Sequence, residues 1–343
     1  MSSTLNPLDK DMRDAVRTFF KSECTPNTIR NLHNGENTGL SDLWSEIHSM
    51  GLSIALVPEH MGGLGMGMVA AVQIAEEAGS CLMPLPLSDA ILAAPILFEM
   101  LDSFPINLQE QINSVYSGAD FIQIATPWGN NHWRTTTSYS SKLVIKPDNS
   151  NLDLVSIKRA DTHTGIDKSM PFGIFSNNGF NLLHNLYDEQ IDKVKLLVQK
   201  HRLMQMSELL GVAHKALDLA IEYACEREQF GKPIGANQAI KHNLADRWMQ
   251  IDNARLAIAH AAKSLDNNSD DKEFNLDAAQ ILSIEAGNKV TAYSVQVFGA
   301  MGITWECDVH LYLKRSKHLQ ALLEKNNTMG TIYARIWQHD FCN

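Results

Sequence analysis

A junction between two helical segments carries the residue types best suited to holding a ligand. In "REQFGKPIGANQAIKH", Arg227 to His242, an arginine, an aromatic residue, glycines, a proline and a glutamine lie between two stretches of helical pattern. Proline cannot continue a helix interior, because it lacks the backbone N–H and clashes with the preceding turn. The stretch therefore predicts a fixed corner that either turns the chain or holds a ligand.

A single glutamate stands inside an apolar helical stretch. Glu208, in "QMSELLG", is flanked by Met206, Leu209 and Leu210. A carboxylate in such surroundings has either a partner or a task, because burying a charge without compensation is costly. The alternative, a glutamate on an exposed strip of the helix, stays open from the sequence.

Composition excludes several classes of protein. The 343 residues are 44% hydrophobic and carry a formal net charge of -10. That length suits two or three packed subdomains. The acidic total predicts no binding to nucleic acid or to an anionic membrane surface, since a basic face would dominate both. It leaves room for a small anionic ligand held by a few local arginines.

The cysteines and the apolar segments predict a cytoplasmic protein. Five cysteines are scattered without a CxxC pair, a pattern typical of reduced thiols and not of a disulfide framework or a metal site. The beginning "MSSTLNPLDKDMRD" is polar and carries early acids, so it does not resemble a signal peptide. The apolar segment "AILAAPILFEML" is too short to span a bilayer.

Three regions of different pattern must position these residues. Residues 8 to about 115 place apolar residues three and four apart, as helices do. From about 118 to 195 the pattern changes to short β-branched runs with polar turns, such as "FIQIAT" and "KLVIK". Helical spacing returns at Val198, with further helices predicted over Asn237–Ser264 and Leu276–Phe298 and a loop at "DNNSDDKEF".

The predicted fold class is therefore α+β, mainly α. An N-terminal helical domain (1–117), a reduced middle β-domain (118–197) and a C-terminal four-helix bundle (198–343) follow one another in the chain.

Three motifs in this order resemble the acyl-CoA dehydrogenase family of flavoproteins. They are "LVPEHMGGLGMG" followed by "EEAGSCLMPLP", then "EREQFGKPIGANQAIKH", then "VQVFGAMGITWECDVHLYLKRSK". The resemblance spans nearly the whole chain and is strong in its first and last thirds. Segments such as "TWECDVHLYLKR" resemble bacterial members that act on sterol or other bulky acyl-CoA thioesters, often as heterotetramers.

The resemblance implies FAD as the cofactor and assigns residues to it. Arg227 would hold the pyrophosphate through its planar donor fork, and Phe230 would pack near the adenine. Gln238 would add a hydrogen bond, while Gln296 would contact the cofactor across a subunit boundary. Gly299 would let the backbone approach closely.

In this family a carboxylate removes the α-proton of an acyl thioester while FAD accepts a hydride from the β-carbon, and an electron-transfer flavoprotein is the expected acceptor. The usual glutamate position is filled by Leu323, with Glu324 one residue late, a turn of about 100° on a helix. Other members use a position ten residues before the glycine that corresponds to Gly211, where this chain has His201. Glu208, two turns further on the same helix, is the first candidate base and Glu324 the alternative.

The middle domain departs from the family pattern. "IATPWGNNHW" keeps Thr126 and Pro127 but lacks the usual following glutamate, so only Thr126 is assigned to the flavin. Two functions stay open. The chain is either a dehydrogenase of acyl-CoA thioesters, in a homo- or hetero-oligomer, or a non-catalytic subunit that completes the FAD site of a partner chain. The sequence does not identify the acyl group.

Overall fold

The computed structural model describes residues 7–36, 39–128, 132–136, 143–158, 162–163, 165–326 and 328–342. Residues 129–131 of the stretch "IATPWGNNHW" and residues 1–6 of the polar beginning lie outside this part. The helices are α1 Pro7–Glu23, α2 Pro26–His33, α3 Leu40–Ser49, α4 Met68–Ser80, α5 Leu87–Glu99, α6 Ile106–Tyr116, α7 Ile191–Glu226, α8 Gln238–Asp266, α9 Lys272–Phe298, α10 Val309–Asn326 and α11 Met329–Cys342.

Short strands fill the region between α6 and α7 and one corner after α7. They are β1 Ile122–Ile124, β2 Thr126–Pro127, β3 His132–Thr136, β4 Leu143–Asp148, β5 Asn151–Ile157, β6 Thr162–His163, β7 Phe172–Ser176, β8 Phe180–Tyr187, β9 Glu228–Gln229 and β10 Lys232–Pro233. The predicted class, mainly helical with a small β region between helical parts, is confirmed.

The chain forms two compact units that do not follow its order. One unit comprises Met1–Pro26, Val72–Leu82 and Leu203–Asn343. The other comprises Asn27–Ala71 and Met83–Arg202. We call them the bundle unit and the sheet unit. The division at residues 117 and 197 stays a prediction.

In the sheet unit, two four-stranded sheets run in the orders β1-β4-β5-β8 and β2-β3-β7-β6. β1 pairs with β4 in parallel, and the other pairs are antiparallel. The sheets enclose a core of aromatic and aliphatic side chains: Ala125, Trp133, Val144, Val155, Phe175 and Phe180. The indole N–H of Trp133 donates to the Pro147 carbonyl at 3.0 Å, which satisfies the one polar group this ring brings into the core.

In the bundle unit, α8 and α10 pack on α9, α11 also packs on α9, and the later part of α7 belongs to the same compact unit, which is the predicted helical bundle. Two predicted boundaries were wrong. Helix α7 begins at Ile191, seven residues before the predicted return of helical pattern at Val198, because Val194 and Leu197 already form a buried face between exposed lysines. Helix α9 begins at Lys272, so the predicted loop is shorter.

Candidate functional site

The corner after α7 is a tight β-hairpin. β9 and β10 pair in antiparallel register, with Gln229 opposite Lys232, which leaves Phe230 and Gly231 as the two turn residues. Both have positive φ, 54° and 75°, as a type I′ turn requires. The backbone N–H of Ile234 donates to the Arg227 carbonyl at 2.8 Å and closes the corner. The sequence predicted the corner but not the hairpin.

Phe230 occupies this turn at a cost. A residue with a Cβ in the left-handed region is disfavoured by roughly 1–2 kcal/mol, and Phe230 is 99% exposed, so it recovers nothing by burial within the chain. Arg227 and Gln238 on the same corner segment are exposed, and within the described residues neither side chain has a hydrogen-bond or ion-pair partner. The segment thus carries an exposed aromatic ring and an uncommitted cation and amide.

A second segment of the bundle unit lies beside the end of α7. The Tyr223 ring of α7 stacks on Phe298 at the end of α9, with ring centroids 4.3 Å apart and an interplanar angle of 19°. This contact fixes Gln296 and Gly299 near the C-terminal turns of α7. Gln296 is exposed and, in the described part of the chain, makes no side-chain hydrogen bond.

Gly299 provides open space at this place. Its φ of 62° and ψ of -137° belong to a region that only glycine adopts readily. No atom lies within 4 Å of the point where a Cβ would stand. The residues assigned to FAD in the bundle unit therefore fit such a ligand, because their donors are uncommitted and the backbone at Gly299 is accessible.

Glu208 lies where α7 crosses α4. A Cβ on Gly79 would stand 2.0 Å from the Glu208 carbonyl oxygen, and one on Gly211 would stand 1.8 Å from the Glu76 carbonyl oxygen. The two glycines thus let the helix backbones touch, and the Ser207 hydroxyl donates to the Val72 carbonyl across the same crossing. The Glu208 side chain is half-buried and has an interaction within the chain. Glu208 is therefore not a glutamate on an exposed strip of the helix.

A buried charge cluster supports this crossing and was missed from the sequence. Glu76 pairs with Arg13 and Arg255, each at 2.8 Å. Glu77 pairs with Arg13 at 2.7 Å and Arg17 at 2.8 Å. Both carboxylates come from "EEAGS", which was read only as a family motif. Adjacent acids in an apolar helix were the available signal, since such a pair needs cationic partners.

The cluster sets the charge state of its members. Burial by itself would raise the pKa of Glu76, but Arg255 and Arg13 hold that pKa below its ordinary value. Burial, with the Arg255 charge added, lowers the pKa of His214. A neutral His214 can accept a hydrogen bond at Nδ1 from Arg255, 3.2 Å away. Both glutamates of the cluster are therefore held by arginines, and neither is left free for proton abstraction.

The position of the family's usual base is part of a helix here. Leu323 lies in α10, is 3% exposed, and its carbonyl accepts a hydrogen bond from the buried Gln280 side chain at 3.1 Å. Glu324 is half-buried and accepts from Gln320 at 3.2 Å. The next helix, α11, is held on α9 by a bidentate ion pair. Arg335 donates two hydrogen bonds to the Asp277 carboxylate, each 2.7 Å long.

The sheet unit contains His201, at the second base position of the family, and Thr126, assigned to the flavin. His201 Nε2 lies 2.8 Å from Asp89 Oδ1, and the second Asp89 oxygen accepts the Ile124 backbone N–H at 3.1 Å. Both side chains are buried, and Asp89 was not singled out in the sequence. Thr126, half-buried on β2, pairs in register with Arg134. Burial lowers the pKa of Arg134 to about 10, and its guanidinium lies 4.6 Å from the Phe172 ring centre.

Within the described residues no cluster of three or more His, Cys, Asp or Glu side chains has metal-binding geometry. In the same part of the chain, every helix is too short or too polar to cross a membrane.

Two family models match the chain. The model described as the N-terminal domain of acyl-CoA dehydrogenase matches residues 6–101. The model described as the C-terminal domain of acyl-CoA dehydrogenase matches residues 194–336. These ranges contain the α4 crossing, Glu208, the hairpin corner and the end of α9, whereas most of the strands lie between them.

Curated relatives and solved structures agree with the family models. Acyl-CoA dehydrogenase IpdE2 of Mycolicibacterium smegmatis is 27% identical over 321 residues, which are 91% of this chain and 93% of that protein. Acyl-CoA dehydrogenase FadE34 of Mycobacterium tuberculosis is 25% identical over 340 residues, 91% of this chain and 45% of that protein.

Two solved structures share the fold. The ChsE4-ChsE5 complex from Mycobacterium tuberculosis matches with a TM-score of 0.80 at 22% identity. The match covers 99% of this chain and 99% of the chain from that complex. The steroid ACAD Tcur3481-Tcur3483 has a TM-score of 0.80 at 21% identity, covering 97% of this chain and 99% of that chain. At these identities the superpositions establish the fold alone.

Proposed function

Because this chain belongs to the acyl-CoA dehydrogenase family, it is an oxidoreductase acting on CH–CH bonds, and we propose that it carries out FAD-dependent α,β-dehydrogenation of a bulky acyl-CoA thioester. The observation that carries the proposal is the hairpin corner. Arg227, Phe230 and Gln238 are all exposed on this corner segment, and the two polar side chains have no partner within the described residues. Side chains of these types that are exposed and uncommitted suit a binding surface for a ligand outside the chain.

The chemistry of FAD matches these residues. A guanidinium binds pyrophosphate oxygens in pairs, and the Phe230 ring offers an apolar face to the adenine. Gln238 and Gln296 supply neutral hydrogen bonds, and Gly299 admits close approach of the ligand. We assign Thr126 to the flavin ring. When bound, FAD supplies the hydride acceptor of the reaction.

We assign proton abstraction at the substrate α-carbon to Glu208. Its side chain is half-buried on a stretch of α7 whose neighbouring residues Met206, Leu209 and Leu210 are buried, and in a site with little water a carboxylate comes closer to the basicity that a carbon acid requires. The backbone contact at Gly79 and Gly211 fixes the helix that carries it. Glu324 is the alternative, supported by its half-burial and opposed by its engagement with Gln320.

The relatives support a proposal for the substrate class and the partners. One structure with the same fold is named as a steroid ACAD, and another is a complex of two differently named chains. We therefore propose a steroid or similarly bulky acyl group, an oligomer with an identical or a second acyl-CoA dehydrogenase chain, and an electron-transfer flavoprotein as acceptor. The cytoplasmic location stays a prediction.

A second function is favoured by one observation. Leu323 fills the usual base position with a buried, apolar side chain, while the FAD-directed corner is intact. This combination suits a subunit that completes the flavin site of a partner and abstracts no proton itself.

Flavin content tests the cofactor assignment. The full chain is purified by itself and together with any acyl-CoA dehydrogenase chain that copurifies, and FAD per chain is read from visible absorbance. Arg227→Ala should lose most of the flavin, whereas Lys232→Ala, which removes a neighbouring exposed cation of the same hairpin, should keep it. Full flavin in Arg227→Ala would refute the proposal.

Bleaching of the flavin by a bulky acyl-CoA then separates the two functions. Glu208→Gln should retain FAD and lose bleaching, while Glu324→Gln should bleach like the wild type. Loss in Glu324→Gln alone would move the base to that residue. Normal bleaching in both variants, in an assembly with a second chain, would establish the supporting role.

A further inference from the structure

Two thiols of the bundle unit border one cavity, far from the hairpin corner in sequence. The cavity has a volume of about 660 Å³ and is lined by residues of α1, α4, α7 and α10, including Cys24 and Cys81. Cys24 is buried, at 6% exposure, and Cys81 is partly exposed. A small oxidant that enters the cavity therefore comes beside both cysteine residues.

Helices α1 and α4 contact each other through ion pairs, and their C-terminal ends line the same cavity. Arg17 of α1 pairs with Glu77 of α4. Cys24 follows Arg17 by seven residues and Cys81 follows Glu77 by four, rises of about 10 Å and about 6 Å along helices. Because Phe20, Lys21 and Cys24 line the cavity together with Ser80 and Cys81, the two helices reach it side by side.

Tyr312 provides an independent marker of their proximity. Its hydroxyl donates to the Ser80 carbonyl at 3.1 Å, next to Cys81 in the chain. Burial raises the pKa of Tyr312, and both Cys81 and Cys24 add to that rise. Cys24, Cys81 and Tyr312 therefore lie around the same cavity, which all three residues line.

Cys24 and Cys81 both lie at helix ends, where the backbone can adjust to bring them together. A disulfide requires Cα atoms about 4.4–6.8 Å apart. Cys24 follows the last residue of α1, and Cys81 follows the last residue of α4. Helix ends open at lower free energy than helix interiors. Leu82, the next residue, already has a left-handed backbone with φ of 56°, so the chain leaves α4 at Cys81.

We propose that Cys24 and Cys81 form a disulfide between the ends of α1 and α4 when the protein meets a peroxide. The Cys81 thiolate attacks one peroxide oxygen, the O–O bond breaks, and water leaves after protonation, which gives a sulfenic acid. The Cys24 thiol then attacks that sulfur, the S–O bond breaks, the S–S bond forms, and a second water leaves. Two thiols are oxidised and one peroxide is reduced to two waters.

The test uses the full chain, reduced, freed of reductant and exposed to hydrogen peroxide. Remaining thiols are alkylated, and a digest is examined without reduction by mass spectrometry. The expected product is a linked pair of peptides containing Cys24 and Cys81, which dithiothreitol separates. Closing a loop of this length should also raise the thermal midpoint by about 5 °C.

Variants give the outcomes that decide the proposal. Cys24→Ser and Cys24→Ala should abolish the link and leave a sulfenic acid on Cys81 that dimedone traps, and two replacements guard against one that misfolds. Cys225→Ser is the matched control, since Cys225 is exposed on α7, and it should leave the link unchanged. Recovery of Cys24 and Cys81 as separately alkylated peptides from the peroxide-treated wild type would overturn the proposal, as would pairing of either with Cys225.

Discussion

Glu76→Gln tests whether the buried charge cluster stabilises the α4 crossing. The substitution keeps the size of the side chain and removes its charge, leaving Arg13 and Arg255 without the carboxylate that each contacts at 2.8 Å. Glu76 has a side-chain exposure of 5%, whereas Arg13 and Arg255 have 15% and 25%. Breaking a buried ion pair lowers the free energy of unfolding by about 3–5 kcal/mol. Because the arginines are partly exposed, we expect a loss at the lower end of this range, about 3 kcal/mol.

The assay is thermal unfolding followed by circular dichroism. At about 2.1 cal/mol/K of unfolding entropy per residue, 343 residues give about 0.7 kcal/mol/K, so 3 kcal/mol corresponds to a midpoint about 4 °C lower. The matched control is Glu285→Gln. Glu285 pairs with Lys289 one turn away, with side-chain exposures of 43% and 50%, and such surface pairs contribute under about 1 kcal/mol.

The stability difference between the wild type and Glu76→Gln should depend on pH in a direction that can be measured. The folded protein holds the Glu76 pKa below 4.5, so the stability from its charge is fully present above that pH and is lost as pH falls through the lower folded pKa. The difference between wild type and Glu76→Gln should therefore be constant from pH 6 to 8 and shrink in acid. A Glu76→Gln midpoint equal to that of the control, or a difference that grows in acid, would refute the reasoning.

Three further substitutions test other features of the bundle unit, each by the same thermal assay. Gly211→Ala places a methyl 1.8 Å from a carbonyl oxygen of α4, so overpacking should cost about 2 kcal/mol and lower the midpoint by about 3 °C. Gly330→Ala on α11, whose nearest atom would be 4.0 Å away, should not lower it; equal losses would contradict the helix-crossing account. Gly299→Ala should lose about 1–2 kcal/mol from its φ of 62° although its surroundings are open, and an unchanged midpoint would show that the backbone there relaxes. Tyr312→Phe removes the hydrogen bond to Ser80 and should cost about 1 kcal/mol at pH 7. Because burial raises the pKa of Tyr312 above its ordinary value of 10, the unfolded phenol ionises first, so the loss should be constant below pH 9 and shrink above pH 10; a loss that grows above pH 10 would contradict this reasoning.

The sequence predicted the features that depend on near neighbours in the chain. Helical spacing and β-branched runs predicted the helix, strand, helix order, because burial of one helix face or sheet face leaves a periodic pattern. Pro233 and the glycines beside it predicted a corner after α7, although the chain has a type I′ hairpin there with Phe230 at positive φ. Glycine, asparagine and aspartate are the usual residues of such a turn. A phenylalanine there is unfavourable, so turn preferences could not predict the hairpin.

Only the tertiary structure decided which distant residues meet. Glu76 is separated from its partner Arg255 by about half the chain, and no periodic pattern predicts that pairing. Gly79 and Gly211 are needed because two helix backbones touch at these positions. His201 contacts Asp89, which lies 112 residues earlier in the chain. Charge pairing and close packing act through space, whereas sequence patterns record only which face of an element is buried. The candidate base and the flavin residues were named from the family motifs, and their assignments stay predictions for the flavin and bleaching experiments to test.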